Sequence, residues 1–134
     1  MKNIRHCYEI SLHDKTLWVR AIGVWTVRDL EDYIRDFRTT ANSLIRGPWA
    51  LVLDARRWET SPNDIFAGII DNSNWCIRNN LAHVVALLPQ DHVIGWQFVK
   101  ATSVEVPESL VKQRANTDEE ARAMLIAAGF LQHS

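Results

Sequence analysis

Asp54 closes the nearly continuous apolar run WALVLD (Trp49–Asp54) and is followed by Arg56, Arg57 and Trp58 within the stretch LVLDARRWETSPNDIF. A carboxylate at the end of a buried strand can act as a general acid or base, because open α/β sheets bind ligands beyond the C-terminal ends of their strands. Asp54 has no obvious acidic or histidine companion nearby in sequence. The role expected of it is structural: accepting backbone N–H groups from the turn that follows. His83 lies inside the apolar run LAHVVALLP and reads as a satisfied core histidine. Cys76 falls on the apolar stripe of a helix and should pack as a small hydrophobe. Cys7 falls on the polar face of a strand, where it is expected to be exposed and oxidisable, with nothing near it in sequence to lower its pKa. A Cys76–His83 nucleophile–base pair would lack an orienting third group. The sequence holds no GxGxxG, Walker A loop, GxSxG or HExxH motif, and its five histidines never fall at metal-ligand spacing. No catalytic residue, metal ligand or cofactor is therefore expected.

The elements that position these residues alternate along the chain. HCYEISLH places His6, Tyr8, Ile10 and Leu12 on one face, the pattern of a half-exposed strand. Asp14 and Lys15 form a tight turn, and TLWVRAIGV returns antiparallel. Thr26 and Asp29 make an approximate capping box. The helix they open carries a stripe of Val27, Leu30, Ile34, Phe37, Ala41 and Leu44, ended by RGP. WALVLD has the composition of a strand covered on both faces. Ser61 and Pro62 fit an N-cap and first helical position, with Ile65, Ile69 and Cys76 on the apolar face of a helix that runs to about Arg78. LAHVVALLP is a second buried strand, DHVIGWQFVKATS a shorter helix capped by Asp91, and PESLVKQRA a polar edge strand. A last helix, TDEEARAMLIAAGF, has a capping box at Thr117 and Glu120 and a stop at Gly129; its acidic DEE run (118–120) reads as a bias toward the helix dipole. The order predicts an α/β fold: a mixed five-stranded sheet with an antiparallel leading hairpin and a largely parallel remainder, covered by about four helices.

Length and composition set the outer limits. The chain has 134 residues, a usual size for one domain spanning 1–134, and 47% hydrophobic residues, far from a disordered composition. A net charge of −1 gives no global field for nucleic acid or an anionic membrane. No apolar run reaches the roughly 18 residues of a membrane span. The start, MKNIRHCYEISLHD, lacks the apolar core of a signal peptide, so a cytoplasmic location is expected. Two cysteines without CxxC spacing form no framework, and in the cytosol both should be reduced.

The order of elements, together with GVWTVRDLEDY, WALVLDARRW, LAHVVALLP and NTDEEARAMLIAAGF, resembles the STAS and SpoIIAA-like domains over nearly the whole chain. These are relatives in fold of the anti-sigma-factor antagonists and, more loosely, of the CRAL-TRIO lipid-binding domains. In signalling STAS domains the helix after the central strand begins with an Asp-Ser-Ser/Thr-Gly motif whose serine is phosphorylated. Here that stretch reads TSPND: Ser61 is the candidate phosphosite, but the flanking Asp and the Gly are missing. As an N-cap, Ser61 would contribute about 1 kcal/mol.

The inferred topology collects residues of three connections at one rim of the sheet. Trp25, Thr26 and Arg28 come from the first, Arg56, Arg57 and Trp58 from the second, and Asp91, His92 and Trp96 from the third. Helix N-termini favour anions, and indole faces favour apolar or partner surfaces. The bland alternative is that the tryptophans plug the core and Arg56-Arg57 is a solvated loop. Trp25, Arg28, Arg56, Arg57, Trp58, His92 and Trp96 are thus the candidate binding residues. The leading expectation is a non-enzymatic regulatory module that recognises a protein partner, with a homodimer as one form of it. A binder of an anionic amphiphile such as a fatty acid or lipid is the second, and a small enzyme the third.

Overall fold

The computed structural model describes residues 2–4, 7–59, 62–89 and 110–132. In chain order the elements are β1 (Lys2–Ile4), β2 (Tyr8–His13), β3 (Thr16–Gly23), α1 (Val27–Ala41), β4 (Trp49–Trp58), α2 (Asn63–Arg78), β5 (Leu81–Leu87), β6 (Val111–Arg114) and α3 (Asp118–Ala128). The strands share one sheet in the order β1-β2-β3-β4-β5-β6. β1–β2 and β2–β3 are antiparallel, and every pairing from β3 to β6 is parallel.

The β2–β3 hairpin closes through Asp14 and Lys15, with Asp14 at φ 54°, a left-handed conformation that a short polar side chain tolerates. Parallel neighbours then require crossovers. α1 links β3 to β4 and α2 links β4 to β5; both crossovers advance the sheet in one direction, so one hand puts both helices on one face. There Tyr8, Ile10, Leu17, Val19 and Leu51 pack with Leu30, Phe37 and Ile65. α3 covers the opposite face, where Trp18, Ala50, Val52, Val85 and Leu87 meet Ala121 and Leu125. Successive residues of β4 therefore serve two cores, the physical cause of its unbroken apolar run. No helix among the described residues is long and apolar enough to cross a membrane.

Local signals decide the helix ends. Thr26 accepts the Asp29 N–H at 3.2 Å, and the Asp29 carboxylate accepts the Thr26 N–H at 2.9 Å, so the predicted box at the start of α1 forms in both directions. Its buried stripe is Leu30, Tyr33, Phe37, Thr40 and Ala41, while Val27, expected on it, is more than half exposed. At α3, Thr117 accepts the Glu120 N–H, but the Glu120 carboxylate takes the N–H of Asn116, so only half of a box is present. Gly129 ends α3 at φ 89°, where a Cβ would be strained.

Several expectations are corrected. The sheet has six strands among the described residues, because Lys2–Ile4 adds an edge strand too short to show an alternating pattern. β4 does not stop at Asp54 but continues to Trp58. Pro62, not Ser61, occupies the N-cap position of α2, and with no side-chain acceptor it caps nothing. Ser61 itself lies outside the described residues, as does the helix expected over 91–103. The polar edge strand is present as β6, with all four side chains exposed.

α1 and α2 cross at Gly68. A Cβ placed there would lie 2.3 Å from Leu30 Cδ2, so the helices approach as closely as they do only because residue 68 has no side chain. Gly68→Ala is expected to lower the unfolding free energy by about 1–3 kcal/mol through overpacking. In a Leu30→Ala background, where the added methyl has room, that cost should largely vanish. Urea denaturation of the four proteins of this cycle measures both.

Candidate functional site at the rim of the sheet

The rim is shaped by a bulge. β3 and β4 pair Arg20 with Asp54, then Ile22 with Arg57, so β4 spends three residues where β3 spends two. Asp54 holds the extra residue. Its Oδ1 accepts the backbone N–H of Arg56 at 3.1 Å and Arg56 Nε–H at 2.9 Å. Its Oδ2 accepts from Arg56 Nη2 and from Arg20 Nη1, both at 2.8 Å. A carboxylate only 7% exposed is thereby satisfied by four donors. The bulge also changes which face later residues take. Leu51, Leu53 and Ala55 point toward α1 and α2, and after the extra residue Trp58 joins them, against Trp25 (6.0 Å between ring centroids) and Phe66 (5.4 Å).

Both arginines reach further. Arg20 Nη2 and Arg56 Nη2 each donate to Asp118, the first residue of α3. The hydrogen bond from Arg20 is the main reason the Asp118 carboxyl is held below its ordinary range; the Arg56 guanidinium, bonded to Asp54 first and Asp118 second, titrates above its own. The four groups thus tie the start of α3 to the ends of β3 and β4. On their side of the sheet, Glu9, Arg20, Ile22, Asp54, Arg56 and Arg57 line a groove of about 460 Å³, its mouth included. On the α1/α2 side is a narrow cleft with room for little more than one or two water molecules, lined by Trp25, Tyr33, Phe37, Trp58, Asn72 and Cys76 among others. Asp54 and Ala21 border both spaces.

The residues singled out in the sequence fall as follows. Trp25 and Trp58 are each 2% exposed; the Trp25 indole donates to the Cys7 carbonyl at 3.0 Å and lies 4.7 Å from the Tyr33 ring. Arg28 and Arg57 are exposed. Arg56 is no solvated loop residue but a strand residue bound to two carboxylates. His92 and Trp96 lie outside the described residues, as do Ser61 and Asp91. Asp54 accepts the backbone N–H expected of it. His83 bonds Gln113 at 2.6 Å and meets the Phe130 ring edge-on. His83 thus packs on the α3 side and Cys76 in the α1/α2 core, so the sheet separates the pair.

Cys7 requires a correction: it is buried, because its carbonyl is bound by Ile22 N–H as well as by Trp25, which draws the residue into the core. Burial, then the nearby Asp29, pushes its thiol up to about 11, and burial pushes Cys76 up to about 12. Sequence reading missed Arg20, Asp118, Tyr33 and Asn72. Arg20 alternates with Trp18 on the α3 side of β3, which was a readable signal. Asp118 read as a helix-dipole residue only.

No family model matches the chain, and no curated protein matches it. Among solved structures, the fold is similar to that of an uncharacterised protein of the DUF3478 family from Shewanella loihica PV-4, described as having a SpoIIAA-like fold. The TM-score is 0.69 at 14% identity, covering 93% of this chain and 98% of that one. The chain therefore has the SpoIIAA-like fold that its sequence resembles.

Removing the Asp54 carboxylate would leave two guanidinium groups, each about a third exposed, with Asp118 as their remaining close partner, and would release the bulge. Asp54→Ala is expected to cost about 1–3 kcal/mol, whereas Arg57→Ala, at an exposed position, should stay within about 0.5 kcal/mol of the parent in the same denaturation assay. Asp118 adds a pH dependence. Its folded pKa is depressed below 3.8, so its stabilisation is present above that value and is lost as pH falls through the lower folded one. Asp118→Asn should therefore be less stable than the parent at neutral pH and lose less stability on acidification below about pH 4, measured by thermal unfolding across that range.

Proposed function

We propose that this chain is a non-enzymatic regulatory module of the STAS type that recognises a protein partner at the rim where β3 and β4 end. The observation that carries the reading is the exposed apolar corner after β3: Val24 and Val27 are 55% and 52% exposed, with exposed Arg28, Arg57 and Glu59 around them. The ends of the strands bring these residues together. Gly23 pairs with Trp58, and the Glu59 N–H donates to the Gly23 carbonyl at 3.0 Å. Apolar side chains ringed by charges have the make-up of a partner surface. The bulge and the Arg20–Asp54–Arg56–Asp118 network support the reading by making the platform rigid.

The same geometry lends less support to an anionic amphiphile at the rim. Arg56 is committed to two carboxylates, and the Trp25 and Trp58 rings lie beneath the surface. An enzymatic role finds little support either. Asp54 spends its lone pairs on four donors, and both thiols are held protonated by burial.

A photo-crosslinking residue at position 24 or 27, introduced in cells, should give a discrete adduct of higher mass. The same residue at exposed Asn42, at the far end of α1, should not. An adduct of twice the chain mass identifies the partner as a second copy. Equal labelling at 24, 27 and 42, or none at all, overturns the reading.

A further inference from the structure

The groove on the α3 side of the rim is the roomier of the two spaces. It leaves about 170 Å³ for the centres of water-sized atoms, against about 30 Å³ in the aromatic cleft, and so admits a short side chain of another molecule. The charges along it are unequally committed. Arg20 and Arg56 are each bound to Asp54 and Asp118. Glu9, at the β2 end, keeps a loose contact of 3.8 Å with Arg20. Arg57, at the β4 end, is exposed and has no hydrogen bond or ion pair among the described residues. Arg56 spends its Nε and Nη2 on the aspartates, which leaves both N–H groups of Nη1 without an acceptor among the described residues. The groove is thus polarised, negative at Glu9 and positive at Arg57. Its positive end adjoins the apolar corner, because Arg57 pairs with Ile22, two residues before exposed Val24.

We propose that the partner recognised at this corner sets an acidic side chain, Asp or Glu, into the Arg57 end of the groove while apolar neighbours cover Val24 and Val27. The inference rests on the partner reading above and names the chemistry of that partner. A basic segment would bring like charge against Arg57, which is unfavourable. A wholly apolar segment would cover the valines but leave a guanidinium desolvated and unpaired. An acidic side chain beside apolar ones leaves neither cost, and a carboxylate meets the planar guanidinium in a bidentate pair. Glu9 and Asp54 line the same groove, so the single charge of a carboxylate suits it better than the double charge of a phosphate.

The photo-crosslinking residue at position 24 is combined in cells with Arg57→Glu and, separately, with Arg78→Glu. Arg78 is exposed in the last turn of α2, at the opposite end of the sheet, and its replacement changes the net charge equally. Arg57→Glu should reduce the adduct at least about tenfold, because it sets like charge against like. Arg78→Glu should leave it within about twofold of the parent, as expected of an exposed charge remote from the contact. Arg57→Gln, which removes the charge without reversing it, should lose part of the adduct, so the result does not hang on one variant. Changing the acidic residue of the captured protein nearest the crosslink to Arg should restore the adduct to Arg57→Glu. An adduct that survives Arg57→Glu at parental strength overturns the acidic assignment and leaves the partner surface standing. An equal loss in Arg78→Glu also overturns it, since the loss then follows net charge alone. No adduct in the parent overturns both.

Discussion

A nearly buried carboxylate, Asp54, accepts four hydrogen bonds: one from the backbone two residues on and three from two guanidinium groups. Burying an ionised group is unfavourable unless it is paired and hydrogen-bonded, so these donors are the condition for β4 to carry a charge so far inside the sheet. Meeting that condition fixes much else. Bonding Arg56 N–H sets the bulge; the bulge turns Trp58 inward; and the shared arginines draw Asp118, with the N-terminus of α3, onto the strand ends.

The two faces of the sheet are held by different physics. Toward α1 and α2 the packing is aromatic and close. Tyr8, Trp25, Tyr33, Phe37 and Trp49 meet ring to ring at 4.7–6.4 Å, mostly edge to face, and Gly68 lets the helices touch. Toward α3 the core is aliphatic around Val52, Val85 and Leu125, and at the rim charge pairing replaces it. α3 is thereby positioned at both ends, by Asp118 at its start and by the left-handed Gly129 at its finish, where the Phe130 carbonyl accepts from Thr16 and Lys15.

What was legible in the sequence is what depends on neighbours in sequence. The Thr26–Asp29 box, the Asp14–Lys15 turn, the doubly buried β4 and the Gly129 stop are each written within a few residues, and together they specify the α/β order. What was not legible depends on distant partners. The Arg20–Asp118 and Arg56–Asp118 bonds span 98 and 62 residues, and nothing beside Asp118 distinguishes it from Glu119 or Glu120. The bulge exists only as a mismatch between two strands, so the sequence pattern ends β4 at the first charged residue, four short of its true end. Alternation alone puts Cys7 on the polar face, whereas its burial follows from hydrogen bonds made by Ile22 and Trp25. Tyr33 lay on the face of α1 turned toward α2 as well as the sheet, which widened the buried stripe beyond a single row.

The bulge also places two open spaces among the described residues in contact. Asp54 and Ala21 border the charged groove on one side and the aromatic cleft on the other, and Trp58, which follows the bulge, walls the cleft. Protein interiors are close-packed, so a displacement of the Asp54–Arg56 turn is not absorbed locally but passed to the rings behind it. A contact that pulled Arg56 from Asp54 would free the backbone N–H that defines the bulge and, with it, the orientation of Trp58. The charge pairing at the rim and the wall that Trp58 gives the cleft are therefore two consequences of one set of hydrogen bonds.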